Sequence, residues 1–311
     1  MCCGDPKPSN LPHLLACNTY LEFLMQTNDY AQTPLAIESH SELLTDRGRR
    51  FCLGREIASG GEARIYEIAD DDQVVCKIYH PDKLNGDRER KLRAMAANKP
   101  DSKNVCWPLA LVNDSTGKLR GFVMEKVEGE PLSSGIMNPG EFMKKNPNWT
   151  RRQSVRLVLN ILEEFSGLHK KGILMGDVND LNILMRPDAT VSFVDCDSYQ
   201  IQGFSCPVGT DAYTPPELQW VEFRNQVREL NHEAFSIAVL LFKIMLPGKH
   251  PFSHSRGGSL TENIRQGMFP YRIKGRTTSC DLPAGHWRFC WSHLPLALKN
   301  EFGAAFLQET S

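Results

Sequence analysis

The first half of the chain, from Leu43 onward, consists of short apolar runs separated by turn residues. Such runs predict β-strands in three hairpin-like pairs, 43–45 with 51–53, 63–68 with 74–79, and 107–112 with 119–124. Between the second and third pairs, residues 87–97 have the helical period, with Leu92 and Met95 on one face. The pattern therefore predicts a small antiparallel sheet that carries one helix.

The second half, beyond residue 128, is dominated by helical periodicity. Residues 149–171 predict a long helix, which two short strands at 183–185 and 191–194 follow. The predicted core-facing stripe of this helix consists of Val155, Leu159, Leu162, Phe165, Ser166 and His169. The apolar run 234–246 falls short of the ~20 residues that span a bilayer, so it predicts a buried helix of a soluble protein.

A strand-rich part and a helix-rich part therefore meet near residue 128. The length of 311 residues corresponds to about two domains, or to one domain with two lobes. We expect an N-terminal extension over 1–42, an N-lobe over 43–128, and a C-lobe over 129–311 that is cut short at its C-terminus. Clefts between lobes are preferred ligand sites, so the chemistry is expected there.

Composition and charge exclude several classes of function. Hydrophobic residues make up 41% and charged residues 23% of the chain, which suits a folded core and not a disordered protein. Lys and Arg number 36 against 37 Asp and Glu, so no global basic field indicates nucleic-acid binding. The ten cysteines lack CxxC spacing, and the first ten residues do not predict a signal peptide. These features predict a cytoplasmic protein with reduced thiols and no membrane association.

The segment 57–65 lies between two predicted strands and is rich in small residues, at positions 58, 60, 61 and 63. Small residues let a backbone approach a ligand closely and offer its N–H groups to phosphates. A hairpin turn that is glycine-rich for steric reasons alone explains the same segment. Lys77, in the next strand, alternates with Cys76 and Ile78 and points to the opposite face, either as a solvated edge residue or as a functional cation.

Oxygen-bearing side chains are predicted to meet at one end of the second-half hairpin. Asp177 lies in a polar loop, Asn182 starts a strand five residues later, and Asp195 follows the next strand. Mg²⁺ commonly takes one or two such carboxylates together with substrate phosphates, and a separate carboxylate suits the acceptance of a hydroxyl proton. The pair Asp195 and Asp197 alone also fits a nucleotide-sugar transferase, but the first half lacks the alternating βαβ pattern of that fold.

These motifs resemble those of the protein kinase family, in that family's order, over residues 53–307. Residues 58–63 look like the glycine-rich loop, with alanine in place of its first and third glycines, and 75–77 look like the strand that carries the family's lysine. The other matches are the catalytic aspartate, the metal-binding asparagine, the D-F-G aspartate and the A-P-E segment, at Asp177, Asn182, Asp195 and 215–217.

The resemblance implies a two-lobed α+β protein-kinase fold, with an antiparallel N-lobe sheet, one N-lobe helix and a mainly helical C-lobe. It implies ATP and Mg²⁺ as cofactors, catalytic roles for Lys77, Asp177, Asn182 and Asp195, and metal binding by Asn182 and Asp195. The implied nucleotide-binding residues are Ile57, Gly60, Gly61, Ile65, Lys77, Glu89, Met124, Glu125 and Val127. Among them, Glu89 would align Lys77 from the helix, and 124–127 would form the hinge that holds adenine.

Three stretches, 176–179, 195–198 and 248–252, more narrowly resemble divergent bacterial kinases of eukaryotic type. In those proteins a helix-hairpin-helix segment follows the kinase domain. The resemblance implies a protein substrate and, as further partners, a cognate phosphatase and a von Willebrand-type protein. This chain ends at Ser311 without a helix-hairpin-helix segment, so no nucleic-acid role is expected of it.

Several positions depart from the family's pattern. Met175 and Gly176 replace H-R, so no arginine is in place to bind an activation-loop phosphate, and we expect activity without that switch. Asn179 replaces a lysine near the transferred phosphate; losing one electrostatic contact costs roughly 10²-fold in rate, so slow turnover is expected. Asp197 replaces the glycine of D-F-G, either as an extra metal ligand or as a residue that faces water. Glu233 stands where an aspartate is expected at a helix start.

Two functions of different classes fit the sequence. The first is a protein serine/threonine kinase, which transfers phosphoryl groups from ATP to Ser/Thr hydroxyls of a protein, including its own. The second is a pseudokinase, a nucleotide-binding signalling or interaction module. Retention of the four core polar residues favours the enzyme, whereas Asn179 and the altered glycine loop favour the module. A small-molecule phosphotransferase is less favoured, because 209–210 and 215–217 look like a peptide-binding segment.

Overall fold

The computed structural model describes residues 42–255, 257–271, 273 and 282–307. Apart from residue 42, the predicted extension lies outside these residues. The described chain forms two lobes of an α+β fold, a sheet with one helix followed by a mainly helical part, as predicted. The N-lobe sheet ends at Glu125 and the next strand begins at Glu130, so the predicted boundary near residue 128 lies in the connection between them.

The N-lobe is built on one antiparallel sheet. Its strands are β1 Leu43–Thr45, β2 Arg50–Phe51, β3 Leu53–Ser59, β4 Ala63–Ile68, β5 Asp71–Tyr79, β6 Ala110–Asn113 and β7 Leu119–Glu125. Their order across the sheet is β2-β1-β6-β7-β5-β4-β3. In β5, Cys76 and Ile78 are buried in a small core on one face of the sheet, whereas Val75 and Tyr79 belong to the main core on the other. Strand alternation therefore directs Lys77 to the face that meets the C-lobe.

The N-lobe helix, α1, spans Gly86–Ala97 and begins at the cap Asn85, whose side chain accepts a hydrogen bond from the backbone N–H of Arg88. It buries Leu92 and Met95, as the pattern predicts. Its last turn is tied to the buried Trp107, whose indole N–H donates to the Met95 carbonyl at 2.7 Å. One face of α1 is therefore held against the sheet.

The C-lobe contains a short sheet and most of the helices. The strands are β8 Glu130–Pro131, β9 Ile183–Met185 and β10 Val191–Phe193, and the helices are α2 Pro139–Lys145, α3 Arg151–Lys170, α4 Leu230–Met245, α5 Leu260–Arg265, α6 Trp287–Ser292 and α7 Leu296–Phe306. Strands β9 and β10 pair antiparallel, with Ile183 opposite Phe193. The backbone N–H of Val194 then donates to the Asn182 carbonyl at 3.0 Å. This register places Asn182 and Asp195 at the same end of the hairpin.

The predicted core-facing stripe of α3 is wrong. The buried residues of α3 are Leu157, Ile161, Phe165 and Leu168. Of the predicted stripe, Phe165 packs on Phe193 with ring centroids 4.9 Å apart, whereas Leu159 is 59% exposed. Apolar residues of α3 lie on two faces at helical spacing, and packing against β10 and α4 decides which face is buried.

Helix α4 runs through the centre of the C-lobe, and the apolar run predicted to be buried forms most of it. Phe242 of α4 lies at the middle of an aromatic cluster. Its ring centroid is 5.1–6.0 Å from those of Phe269, Tyr271, Trp291, Phe302 and Phe306. None of the helices in the described chain is long and apolar enough to cross a membrane.

Phe242→Ala is expected to lower the free energy of unfolding by about 3–5 kcal/mol, because it removes a buried ring and leaves a cavity at the centre of this cluster. Urea denaturation followed by circular dichroism measures the loss. Phe289→Ala is the matched control, since the Phe289 side chain is mostly exposed. A loss for Phe242→Ala no larger than for Phe289→Ala would contradict a rigid aromatic core.

Candidate active site

Lys77 lies in the cleft between the lobes and pairs with two carboxylates of the C-lobe. Its Nζ donates to Asp197 Oδ1 at 2.5 Å and to Asp195 Oδ1 at 3.0 Å. Burial by itself lowers the pKa of Lys77, but the two carboxylates outweigh it and hold the pKa well above its ordinary value. Lys77 is therefore a charged, buried residue of the cleft and not a solvated edge residue.

The two carboxylates differ in their surroundings. The Asp197 side chain is 5% exposed, and its second oxygen accepts a hydrogen bond from the Tyr79 hydroxyl at 2.5 Å. Burial alone raises the pKa of Asp197, but Lys77 lowers it below its ordinary value. The Asp195 side chain is 51% exposed. Its backbone is left-handed, with φ 56°, a conformation that costs energy in a non-glycine residue and is concentrated at functional sites.

Glu89 does not occupy the place that the family resemblance implies. It pairs with Arg93 one turn along α1, at 2.7 Å, and its side chain is 40% exposed. The residues that α1 directs toward the sheet and the C-lobe include Lys91, whose Nζ donates to the Ser198 carbonyl at 3.0 Å. The helical period places Glu89 on another face, so Asp197 takes the position beside Lys77.

The glycine-rich loop connects β3 to β4 and is tied to the helix. Arg88 of α1 pairs with Glu62 of the loop at 2.9 Å. Gly60 and Gly61 do not have positive φ, and a Cβ at Gly61 would meet nothing within 4 Å. The hairpin itself therefore supplies no steric reason for these glycines, and the predicted close approach of a ligand to their backbone stays a prediction.

The predicted adenine-binding residues lie around the junction of the lobes. Met124 and Glu125 end β7, opposite Val75 and Val74 of β5. Three of the predicted contacts, Ile57, Ile65 and Val127, are half-buried and pack against the core cluster that includes Met124 and Val75. An apolar wall with a nearby strand end is the kind of surface that holds a nucleobase.

The catalytic loop brings Asp177 and Asn182 together. The Asn182 amide N–H donates to the Asp177 carbonyl oxygen at 3.0 Å, and the Thr210 hydroxyl donates to Asp177 Oδ1 at 2.8 Å. These two bonds leave Asp177 Oδ2 and the Asn182 side-chain oxygen for other partners. Thr210 belongs to the segment that the sequence links with peptide binding. Its hydroxyl group also holds the Asp177 carboxylate, a contact that the sequence did not predict.

The oxygens of Asn182 and Asp195 fit a divalent metal ion. Both are hard oxygen donors at one end of the β9–β10 hairpin, as Mg²⁺ prefers. Within the residues that the structure describes, His, Cys, Asp and Glu do not form any group of three that could hold a metal by itself. Asn182 and Asp195 would supply two protein ligands, a number that Mg²⁺ commonly takes beside substrate phosphates.

Asn179, which replaces the expected lysine, holds the catalytic loop in shape. Its side-chain oxygen accepts the backbone N–H groups of Leu181 and Asn182 at 2.9 and 3.1 Å. Its amide N–H group lies 3.3 Å from Thr210 Oγ1. Asn179 is therefore a buried scaffold residue that leaves no positive charge at this position.

A buried carboxylate anchors the start of this loop. Glu233 of α4 accepts the backbone N–H of Gly176 at 2.7 Å, and its other oxygen lies 2.8 Å from His169 Nε2. A side chain at Gly176 would collide with Cys206, and its φ of 76° suits glycine. The substitution of H-R by Met-Gly thus has a local steric reason, and Glu233 performs the anchoring expected of an aspartate.

Arg228 anchors the segment 206–208, which follows the β9–β10 hairpin in the chain, a role that the sequence did not reveal. This buried guanidinium donates to the carbonyls of Cys206 and Val208 and lies 4.1 Å above the Phe223 ring. Its partners are backbone carbonyls, so the segment is held without a phosphorylated residue. Because these hydrogen bonds join residues about 20 positions apart, a local sequence motif does not predict them.

His250 supports the chain just after this segment from the C-lobe. Its Nε2 lies 2.6 Å from the Ala212 carbonyl, and its Nδ1 accepts the backbone N–H of Phe252 at 3.2 Å. This pair of contacts requires a proton on Nε2 and none on Nδ1. Burial lowers the pKa of His250 to about 4, so the neutral ring is the form that the fold stabilises.

The fold and the cleft define a class of protein with two lobes, in which a lysine of the N-lobe meets an acid at the end of a C-lobe hairpin. The family model for the protein kinase domain matches residues 51–286. The chain therefore belongs to the protein kinase family. Membership implies the use of ATP and a divalent metal ion in general.

Among its relatives, Protein kinase YegI of Escherichia coli (strain K12) is 31% identical over 261 residues, which are 75% of this chain and 40% of that protein. The probable serine/threonine-protein kinase pknA2 of Bifidobacterium longum is 25% identical over 65% of this chain and 27% of its own length. Serine/threonine-protein kinase PknA of Mycobacterium tuberculosis is 26% identical over 68% of this chain and 49% of its own. The chain thus spans less than half of each relative and is a divergent member of the bacterial protein kinases.

The stability of the protein is expected to fall by about 2 kcal/mol between pH 7 and pH 5 through His250 alone. The folded-state pKa of about 4 lies below the ordinary 6.5, so the unfolded chain binds the proton first as the pH falls. His250→Gln, which keeps a donor for the Ala212 carbonyl but does not titrate, should flatten this part of the curve. Urea denaturation at several pH values measures it.

The exposed His286 provides the matched control. His286→Gln should leave the pH dependence of stability unchanged. An equally steep curve for His250→Gln and the unsubstituted protein would show that His250 is not buried in its neutral form.

Proposed function

We propose that the protein transfers the γ-phosphoryl group of ATP to serine or threonine hydroxyls of a protein substrate, including its own. The observation that carries this proposal is the geometry of Asp177. The Thr210 hydroxyl holds its Oδ1 and the Asn182 amide holds its backbone carbonyl, which leaves Oδ2 without a hydrogen-bond partner among the described residues. A fixed carboxylate with one available oxygen is what a hydroxyl nucleophile requires.

In the proposed reaction, the substrate hydroxyl oxygen forms a bond to the γ-phosphorus while the bond from phosphorus to the bridging oxygen of ADP breaks. The hydroxyl proton passes to Asp177. Lys77 binds the α- and β-phosphates, and Asn182 and Asp195 would hold Mg²⁺. A bound divalent cation neutralises phosphate charge. The catalysis that remains to the protein is positioning and electrostatics.

The family name alone does not choose between proteins and small molecules as substrates. Support for a protein comes from the segment 209–217, in which the Thr210 hydroxyl binds Asp177 and the Ala212 carbonyl is held by His250, while Arg228 anchors the chain just before it at the Val208 carbonyl. Two of the relatives carry serine/threonine kinase names. Magnesium, a cognate phosphatase and a von Willebrand-type partner remain predictions of the resemblance.

A pseudokinase is the second candidate, and Asn179 favours it. Asn179 replaces the lysine that the family has near the transferred phosphate. Its side-chain oxygen is hydrogen-bonded to the backbone of the same loop. The lost contact lowers the rate by roughly 10²-fold, which makes a slow kinase and a nucleotide-binding module hard to separate by sequence. Measured phosphoryl transfer separates them.

Asp177→Asn is expected to lower the rate of phosphoryl transfer by roughly 10²–10⁴-fold, because the amide does not accept the hydroxyl proton. Transfer from radiolabelled ATP to the protein itself and to a generic basic protein measures it. Nucleotide affinity, followed with a fluorescent ATP analogue and Mg²⁺, should change little, since Asp177 is separate from the proposed phosphate and metal contacts.

The matched control is Asp101→Asn, which makes the same change at a side chain that is 93% exposed and far along the chain from the site. It should leave transfer unchanged. Nucleotide binding without transfer in the unsubstituted protein would sink the kinase proposal and support the pseudokinase.

A further inference from the structure

The buried carboxylate that pairs with Lys77 is Asp197, which lies in the short turn after β10. Asp197 Oδ1 accepts from Lys77 at 2.5 Å, and Asp197 Oδ2 accepts from Tyr79 at 2.5 Å. Lys77 and Tyr79 are alternate residues of β5, so both point to the same face of the sheet. One buried carboxylate thus bridges two neighbouring side chains of one strand.

Helix α1 places cations, and not carboxylates, near Asp197. Arg88 lies 5.0 Å from the Tyr79 ring centroid, and Lys91 reaches the Ser198 carbonyl beside Asp197. The acidic residues of α1 point elsewhere: Asp87 pairs with Arg90 and Glu89 with Arg93, all on exposed side chains. The helix therefore contributes cations that face the Asp197 segment and no carboxylate for Lys77.

Asp195 and Asp197 are suited to different tasks. Asp195 is half-exposed at the end of the hairpin and is the proposed metal ligand. A carboxylate oxygen that binds a metal ion is a weaker partner for a neighbouring ammonium, because both cations compete for the same charge. Asp197 is buried and has both oxygens hydrogen-bonded, one to Lys77 and one to Tyr79, so its pair with Lys77 does not require Asp195.

We propose that Asp197 is the positioning residue that aligns Lys77 for the ATP phosphates, in place of a helix carboxylate, and that Tyr79 fixes the orientation of Asp197. The proposal rests on the function proposed above. Asp195 and Asp197 lie in one short turn after β10 and both pair with Lys77 of β5, so the lysine takes both of its carboxylate partners from the C-lobe and none from α1. The cleft is therefore assembled without an inward movement of the helix.

The test measures nucleotide affinity and transfer separately. Asp197→Asn keeps the shape of the side chain but removes its charge, and it should weaken binding of a fluorescent ATP analogue with Mg²⁺ by roughly 10–100-fold and raise KM for ATP similarly. KM for the protein substrate should not change. A general loss of structure would change both KM values, so this readout separates a positioning role from misfolding. Tyr79→Phe removes one hydrogen bond and should produce a smaller change in the same direction.

Glu89→Gln is the matched control, since it removes a carboxylate from α1 by the same chemistry. It should leave both nucleotide affinity and KM for ATP unchanged. Thermal unfolding of each variant checks that it is folded. If Asp197→Asn does not fold, Tyr79→Phe against Glu89→Gln still decides the question.

Three outcomes overturn the proposal. Unchanged nucleotide affinity in folded Asp197→Asn removes the positioning role. A change confined to the Mg²⁺ concentration needed for half-maximal binding makes Asp197 a metal ligand instead. An effect of Glu89→Gln as large as that of Asp197→Asn would show that Glu89 of α1, and not Asp197 alone, aligns Lys77.

The proposed function fails separately. If the unsubstituted protein binds nucleotide but does not transfer phosphate, and Asp197→Asn weakens binding, then the positioning role stands in a pseudokinase. If the unsubstituted protein transfers phosphate and Asp197→Asn transfers it equally well at low ATP, then the function stands and the positioning role is wrong.

Discussion

The buried ammonium of Lys77 is the charge around which the cleft is arranged. An ammonium removed from water costs on the order of several kcal/mol unless it is paired, so a lysine in the interior of the sheet requires carboxylates opposite it. Asp197 and Asp195 meet that requirement from the other lobe. The same contacts that satisfy the cation also join the N-lobe sheet to the end of the β9–β10 hairpin, where the oxygens of Asn182 and Asp195, the proposed metal ligands, lie.

The catalytic loop and the segment after it are held by fixed partners of the fold. Glu233 accepts the backbone N–H of Gly176, and Arg228 donates to two backbone carbonyls further along. These are charge-assisted hydrogen bonds between a charged side chain and backbone groups of the loop and the segment. Activity without a phosphorylation switch, which is expected from Met175 and Gly176, stays a prediction.

The departures from the family's motifs all change where charged side chains lie around the cleft. A cation is missing at Asn179, an anion has been added at Asp197, and α1 turns Arg88 and Lys91 toward the cleft. Taken with the proposals above, they describe a cleft that is always assembled but stabilises the transferred phosphate weakly. Such a site suits slow transfer or nucleotide sensing better than rapid catalysis.

The sequence by itself determined the order of the motifs, the strand alternation that sets Lys77 on the face opposite Cys76 and Ile78, and the α+β architecture, because these depend on residue type and local period. Only the tertiary structure decided that Asp197 and not Glu89 pairs with Lys77, and that Leu157 rather than Leu159 is buried in α3. Those choices depend on which face each helix turns toward its neighbours. Contacts between residues about 120 positions apart have no local signature, since the packing of whole elements brings them together.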